Sequence, residues 1–133
     1  MPNNITFTSD INNLNIAEAI VDTISRISRL DELIYGNILL SLSEAINNAI
    51  VHGNKFDKTK KVSVSYEFLI DKNLIVSVED EGNGFDPKIV PDPTDPNNLE
   101  NLHGRGIFLI HNLADEVTYE SNGRKVLMKF QLN

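Results

Sequence analysis

Residues 42–54 read Leu42-Ser-Glu-Ala-Ile-Asn-Asn-Ala-Ile-Val-His-Gly-Asn54, the pattern of the end of a long helix. Glu44 and Asn48 are four residues apart, so they share one helix face, and Ser41 and Asn37 extend that polar face. Apolar residues at helical spacing on the other side predict a core-facing stripe: Ile34, Ile38, Leu42, Ala45 and Ala49. A carboxylate and amides on one face can hold a cation and a polar ligand, but for the helix taken alone a solvated polar face is the favoured interpretation.

The chain before this stretch predicts one strand and two helices. Residues 5–8 alternate in polarity and indicate a short edge strand. Asn15 has the position of an N-cap for a first helix that ends near Arg29. Asp31 then has the position of an N-cap for the second helix, which ends near Gly53. The link between the helices is short, so we expect them to pack as neighbours.

After Lys61 the hydrophobic period changes from that of a helix to that of a strand. Residues 62–70 alternate apolar and polar, residues 71–73 form a turn, and a second strand follows. The inward face of this second strand ends on Asp80. An unpaired buried carboxylate is costly or shifts its pKa. We therefore interpret Asp80 either as the floor of a pocket or as a cap for neighbouring backbone.

Two glycine-rich segments flank a long loop. Asp80-Glu-Gly-Asn-Gly84 lets the backbone turn tightly and approach a ligand, although this pattern is common in ordinary loops. Residues 85–102 are rich in Pro, Asp and Asn, and a loop of that length is usually functional or disordered. His103-Gly-Arg-Gly106 then leads into an apolar helix from Ile107, and a helix N-terminus suits phosphate. The segment is neither a Walker A loop nor a Rossmann fingerprint.

The C-terminal part predicts two more strands around a turn at residues 121–123. The resulting order is strand, two helices, two strands, long loop, helix and two strands. This order predicts an α/β two-layer sandwich with helices on one face of a mixed, mainly antiparallel sheet. No linker separates domains, so we expect a single domain over residues 1–133.

Composition narrows the function classes. The chain has 133 residues, a net charge of −7 and no cysteine, which excludes disulfides, zinc–thiolate sites and cysteine nucleophiles. The acidic balance argues against direct nucleic-acid binding. No apolar run is long enough to span a membrane and no signal pattern is visible, so we expect a cytoplasmic protein.

Four features occur in a fixed order: Glu44-x-x-x-Asn48 on a helix, Asp80-x-Gly-x-Gly84 after a strand, a long loop, and Gly104-x-Gly106 opening a helix. Together they resemble the GHKL ATPase superfamily, which includes histidine kinases and gyrase. The resemblance covers roughly residues 33–130. Within the superfamily, the chain resembles the anti-sigma factor serine/threonine kinases in its small size and in the sequence of residues 43–53.

The resemblance implies roles at a nucleobase end and a metal end of an ATP site. Asp80 would accept the adenine amino group, and Gly82 and Gly84 would let the loop pass close to the base. Asn48 would bind Mg²⁺ through its amide oxygen, because a hard ion prefers oxygen ligands. Asn47 is the fallback ligand, but the E-x-x-x-N spacing selects Asn48.

The resemblance also implies a phosphate end and a general base. Residues 85–103 would form a lid over the phosphates, and Gly104, Arg105 and Gly106 would offer N–H groups and a positive charge to them. Glu44 would orient or deprotonate the attacking hydroxyl, which is a protein serine in these kinases.

The implied function is that of a serine/threonine protein kinase using ATP and Mg²⁺. It would phosphorylate an anti-anti-sigma partner of the STAS type and control a sigma factor by partner switching. The relatives act as homodimers, and the edge strand near Ile5 is a candidate seam. Arg124 and Lys125 follow Gly123 where many relatives carry a threonine that supports the adenine site. Two alternatives stay open: an ATP-binding regulatory module without kinase activity, and an α/β interaction domain without a nucleotide.

Overall fold

An antiparallel sheet forms one layer of the molecule. The computed structural model describes residues 3–83 and 102–132, and its five-stranded sheet has the order β1-β2-β3-β5-β4. The strands are β1 Asn3–Thr8, β2 Lys61–Leu69, β3 Asn73–Glu79, β4 Glu116–Glu120 and β5 Lys125–Gln131. All pairings among them are antiparallel. The α/β two-layer sandwich is confirmed, as is the position of β1 at a sheet edge. The sheet was predicted to be mixed, but within the described residues it contains no parallel pair.

Helices form the second layer. They are α1 Ile16–Ser28, α2 Glu32–Asn48 and α3 Leu102–Leu113, and α2 continues as a π-helical turn, Ala49–Gly53. Asp31 caps α2 as predicted, since its carboxylate accepts the Ile34 N–H at 2.8 Å. Asn15 does not cap α1. It ends a 3₁₀ segment that runs directly into the helix, and its side chain makes no capping bond.

The core lies between the helices and one face of the sheet. Alternate residues of β2 and β3 are buried, among them Val62, Val64 and Val76, and they pack with the apolar stripes of the helices. The stripe predicted for α2 is buried at Ile38 and Leu42 and at both alanines, and only Ile34 is partly exposed. Ser41 departs from the prediction, because this member of the polar face is fully buried.

The β2–β3 hairpin turns earlier than its hydrophobic pattern predicts. Ile70 was expected to continue the inward face of β2, but it lies in the turn and is 85% exposed. Asp71 and Lys72 both have positive φ, 60° and 58°. A pair of left-handed residues is the backbone of a tight hairpin turn, and it ends the alternation at Leu69.

None of the helices within residues 3–83 and 102–132 combines the length and the apolar composition needed to cross a bilayer.

Candidate functional site

A cavity of about 200 Å³ opens between the end of α2, α3 and the adjoining ends of β3 and β5. Its apolar wall consists of Ala45, Ala49, Val78, Ile107, Ile110 and Val126. Its polar wall includes Asn48, His52, Lys55, Asp80, Tyr119 and Arg124. Small-molecule sites usually enclose roughly 300–1,000 Å³, so the cavity formed by the described residues has room for only part of a drug-sized ligand. Apolar walls with a few convergent polar groups are the usual lining of a small-molecule site.

Asp80 lies half-buried at the floor of this cavity. Its Oδ1 accepts the N–H of Gly82 at 2.8 Å, and its own N–H donates to the Arg124 carbonyl at 3.0 Å. Burial raises the pKa of Asp80, while the Gly82 N–H and the charge of Arg124 act in the opposite direction. Both roles predicted for this carboxylate therefore occur together: it faces a pocket and it caps the backbone of its own loop.

Two glycines make room for this carboxylate. A Cβ on Gly53 would lie 2.3 Å from Oδ2 of Asp80, and a Cβ on Gly82 would lie 2.0 Å from the carbonyl oxygen of Gly53. Neither distance is compatible with a side chain, so the end of the π-helical turn and the loop after β3 are in contact only because both residues are glycine. The sequence motif pointed to Gly82; the need for Gly53 is visible only in three dimensions.

Asn48 presents an oxygen that the protein leaves unsatisfied. Within the described residues its Oδ1 is buried and has no hydrogen-bond partner, a property shared only with the Ser41 hydroxyl. Unpaired buried polar atoms are rare in native structures and call for a ligand, an ion or water. An amide oxygen is a ligand that Mg²⁺ accepts, so the residue fits the metal implied by the sequence.

The other predicted residues have different positions relative to the cavity. Glu44 is half-buried on α2, one turn before Asn48, and is not among the residues that line the described cavity. Gly82 is buried behind Asp80. Gly84 lies outside the described residues, as does the predicted lid except for positions 102 and 103, which are helical.

The glycine motif before Ile107 lies inside α3 and not ahead of it. The helix begins at Leu102, so Gly104, Arg105 and Gly106 belong to its first two turns. The first four N–H groups of a helix have no partner within the helix. With Leu102 as the first helical residue, Gly104 carries the last of them, and the N–H groups of Arg105 and Gly106 belong to the intrahelical ladder. The helix thus begins five residues earlier than expected, and of the three predicted N–H donors Gly104 alone lies among its first four N–H groups. The same helix contributes Ile107 and Ile110 to the cavity wall.

Several cavity residues were not predicted as site residues. Tyr119 faces the cavity from β4, its hydroxyl pairs with Nε2 of His111 at 3.1 Å, and burial raises its pKa. The period-two alternation of β4, with Val117 and Tyr119 both inward, is the signal that could have found it. His52 also lines the cavity, and partial burial lowers its pKa. Arg124, next to Gly123, also lines the cavity.

Comparison with known proteins adds independent evidence. Residues 7–130 match the family described as the histidine kinase-like ATPase domain. The serine-protein kinase RsbW of Staphylococcus aureus (strain MSSA476) is 36% identical over 97 residues, which cover 67% of this chain and 60% of that protein. RsbW of Listeria monocytogenes is 33% identical over 104 residues, covering 73% of this chain and 66% of that protein. The chain thus spans less than two thirds of the length of these curated relatives.

Solved structures share the fold. A crystal structure of the RsbU and RsbW domains of Rv1364c from Mycobacterium tuberculosis superposes with a TM-score of 0.70 at 19% identity, covering 99% of this chain and 32% of that one. A blue-light activated histidine kinase of Erythrobacter litoralis EL346 superposes with a TM-score of 0.59 at 23% sequence identity, and the match covers 86% of this chain and 40% of that one. The resemblance inferred from the motifs is confirmed: the chain belongs to the histidine kinase-like ATPase domain family, and serine-protein kinases named RsbW are among its relatives.

Proposed function

We propose that this chain is an anti-sigma regulatory factor that binds ATP with Mg²⁺ and phosphorylates a serine or threonine of a protein partner. The observation that carries the proposal is the meeting of two groups in one cavity. The Asp80 carboxylate stands at the floor, backed by Gly53 and Gly82, and the unpartnered oxygen of Asn48 stands on the adjoining helix. A nucleobase and a metal-bound phosphate need such a pair of sites at a fixed separation.

The nucleobase end is proposed at Asp80. A carboxylate is a pure acceptor, so it favours a base that offers an exocyclic amino group, as adenine does, over one that offers a carbonyl there. The apolar wall formed by Ala49, Val78 and Ile110 suits the faces of the ring. Gly82, and Gly84 by the motif alone, allow the loop to pass next to the base. Loss of the hydrogen bond between the base and the charged Asp80 carboxylate should cost about 1.5–3 kcal/mol of binding free energy.

The phosphate end is proposed at Asn48 and the start of α3. Asn48 would hold Mg²⁺ through Oδ1, with phosphate oxygens and water completing the shell. Mg²⁺ would neutralise negative charge on the phosphates during transfer. Of the predicted residues Gly104, Arg105 and Gly106, Gly104 would supply a free backbone N–H group and Arg105 a positive charge at the positive end of the helix dipole. Residues 85–103 are proposed as the lid of this single nucleotide-binding domain, 1–133.

The general base is proposed at Glu44, one helical turn from Asn48. In the transfer step a serine hydroxyl gives its proton to the Glu44 carboxylate, and its oxygen forms a bond to the γ-phosphorus. The bond from that phosphorus to the bridging oxygen breaks, and ADP leaves. Positioning and charge neutralisation contribute most of the rate in phosphoryl transfer, so the protein needs few additional groups.

The partners are proposed from the relatives and from one feature of the sheet. Proteins named RsbW are serine-protein kinases, and this supports a protein serine as the phosphate acceptor. An anti-anti-sigma substrate of the STAS type, a sigma factor as the controlled partner and a cytoplasmic location are proposed from the resemblance in the sequence motifs. A homodimer is proposed with β1 as a candidate seam, because within the described sheet β1 pairs on one side only, with β2.

A second function is favoured by Arg124. This residue lines the cavity, and it follows Gly123, where the resemblance implies a threonine that supports the adenine site through water. An altered base-side wall is compatible with an ATP-binding module that switches partners by occupancy without transferring phosphate. Phosphorylation of a partner separates the two functions, since the second one predicts none.

Calorimetric titration with ATP and ADP, with and without Mg²⁺, tests the nucleotide site. We expect Mg²⁺-dependent binding of ATP, and a loss of about ten- to a hundredfold in affinity in Asp80→Asn, which removes the charge of the acceptor. Asp71→Asn is the matched control, because this aspartate lies in the exposed β2–β3 turn at φ 60°, a conformation that asparagine tolerates. A folded wild-type protein that binds neither nucleotide would contradict the proposal.

A further inference from the structure

The side chain of Asn54 lies at the junction of three segments, directly behind the floor of the cavity. It is 1% exposed, and it follows Gly53, whose backbone is packed against Asp80. Its Oδ1 accepts the Glu81 N–H at 2.8 Å, and its Nδ2 donates to the Lys61 carbonyl at 3.0 Å and to the Ser9 hydroxyl. A buried amide with both its acceptor and its donor in use is a rigid connection.

These bonds close into a ring. The Glu81 carboxylate accepts the Lys61 N–H, so Asn54, Glu81 and Lys61 each contact the other two. Both backbone polar groups of Lys61, at the start of β2, are thereby bonded to side chains of the other two members. The ring joins the end of the π-helical turn, the first residue of β2 and the loop after β3.

The π-helical turn brings Asn54 into this place. The Asn54 N–H donates to the Ala49 carbonyl five residues earlier, at 2.8 Å, where an α-helix would use the carbonyl four residues earlier. One extra residue is thus accommodated in the last turn of the α2 segment. Such single π turns occur frequently at functional sites, because they redirect side chains without ending the helix.

Asp80 is therefore held on both sides. At the end of β3, the N–H of Asp80 itself donates a hydrogen bond to the Arg124 carbonyl. After it, Asn54 holds the next residue, Glu81, through the backbone. We propose that Asn54 is a positioning residue for nucleobase recognition, which fixes the Asp80–Gly82 turn at the cavity floor by holding the Glu81 backbone. This inference rests on the proposed nucleotide site. It adds that Asn54, which does not itself contact the base in this proposal, maintains base selectivity by holding the backbone next to Asp80.

Asn54→Ala tests the inference through the ratio of ATP to GTP affinity. We expect that ratio to fall about tenfold, because a carboxylate that is free to shift no longer discriminates between an amino group and a carbonyl. The dependence of the remaining ATP binding on Mg²⁺ concentration should not change, since Asn48 is held by α2 independently of this ring. A residue with only a structural role would lower stability without altering the ratio.

Ser9→Ala is the matched control. It removes one partner of the same buried amide and leaves the bond between Asn54 and Glu81 in place. We expect it to lower the melting temperature while the ATP-to-GTP ratio stays at the wild-type value. If Asn54→Ala does not fold, Asn54→Asp tests the inference instead. This variant keeps the oxygen that accepts the Glu81 N–H and lacks the N–H that donates to the Lys61 carbonyl. The inference requires its ATP-to-GTP affinity ratio to equal that of the wild-type protein.

Amide hydrogen exchange in the wild-type protein gives a second measurement that needs no variant. The Glu81 amide should be protected to the same degree as ladder amides of β2 and β3. Exchange of Glu81 at the rate of an open loop, or an unchanged ratio in folded Asn54→Ala, would overturn the inference. Failure of the wild-type protein to bind any nucleotide would instead overturn the proposed function, while the exchange result would still report on the ring.

Discussion

Replacement of Gly53 by alanine probes the site through a contact that no sequence motif marks. The new Cβ would lie 2.3 Å from Oδ2 and 2.4 Å from Cγ of Asp80, whereas ordinary van der Waals contact begins at 3.4 Å. The Asp80 carboxylate would therefore have to move by about 1 Å. Overpacking of this kind costs about 1–3 kcal/mol of folding free energy. The φ of Gly53 is not in the left-handed region, so the clash is the main effect.

The displacement should weaken nucleotide binding as well as folding. A carboxylate moved by this amount loses its hydrogen bond to the base, which corresponds to about 1.5–3 kcal/mol and to a ten- to hundredfold weaker affinity for ATP and ADP. Titration calorimetry gives the affinity, and thermal unfolding of the same sample gives the stability.

Gly36→Ala provides the control within the same helical segment. Gly36 lies in the interior of α2, and a Cβ there would meet no atom within 4 Å. Alanine should therefore stabilise the protein by about 0.5–1 kcal/mol through its helix propensity and leave nucleotide affinity unchanged. Wild-type affinity in a folded Gly53→Ala protein would refute the placement of Asp80 against the nucleobase.

Three further outcomes are expected. Glu44→Gln should abolish phosphoryl transfer to the protein partner and spare ATP binding; loss of binding with an intact fold would contradict the role of a base. Asp31→Ala should cost about 1 kcal/mol in chemical denaturation, because the Ile34 N–H loses its cap. Asp80→Asn should raise the melting temperature near neutral pH. Burial raises the folded-state pKa of Asp80, so its contribution to stability is present below the unfolded-state pKa and is lost as pH rises through the folded-state value. The advantage of the asparagine should vanish in acid, and equal stability near neutral pH would contradict this reasoning.

Much of the fold follows from local patterns. The change of period after Lys61 marks the first residue of β2, and Asp31 marks the start of α2, because the pattern and the cap act over a few residues. Asn15 and Ile70 show where local patterns fail. A 3₁₀ segment continues into α1 at Asn15, and a left-handed residue pair after Ile70 takes it out of the strand.

The sequence by itself determined the family, the sandwich architecture and the two residues, Asn48 and Asp80, that meet in the cavity, because their motifs combine chemistry with a local spacing. Only the tertiary structure decided how Asp80 is held. The contact between Gly53 and Asp80 and the hydrogen bond from the Glu81 N–H to Oδ1 of Asn54 each join positions 27 residues apart, and close approach over such a separation depends on how α2 packs on the sheet. The π-helical turn of residues 49–53 widens the helix by one residue and leaves no periodic signal in the sequence, yet it brings the Asn54 side chain next to the loop that carries Asp80.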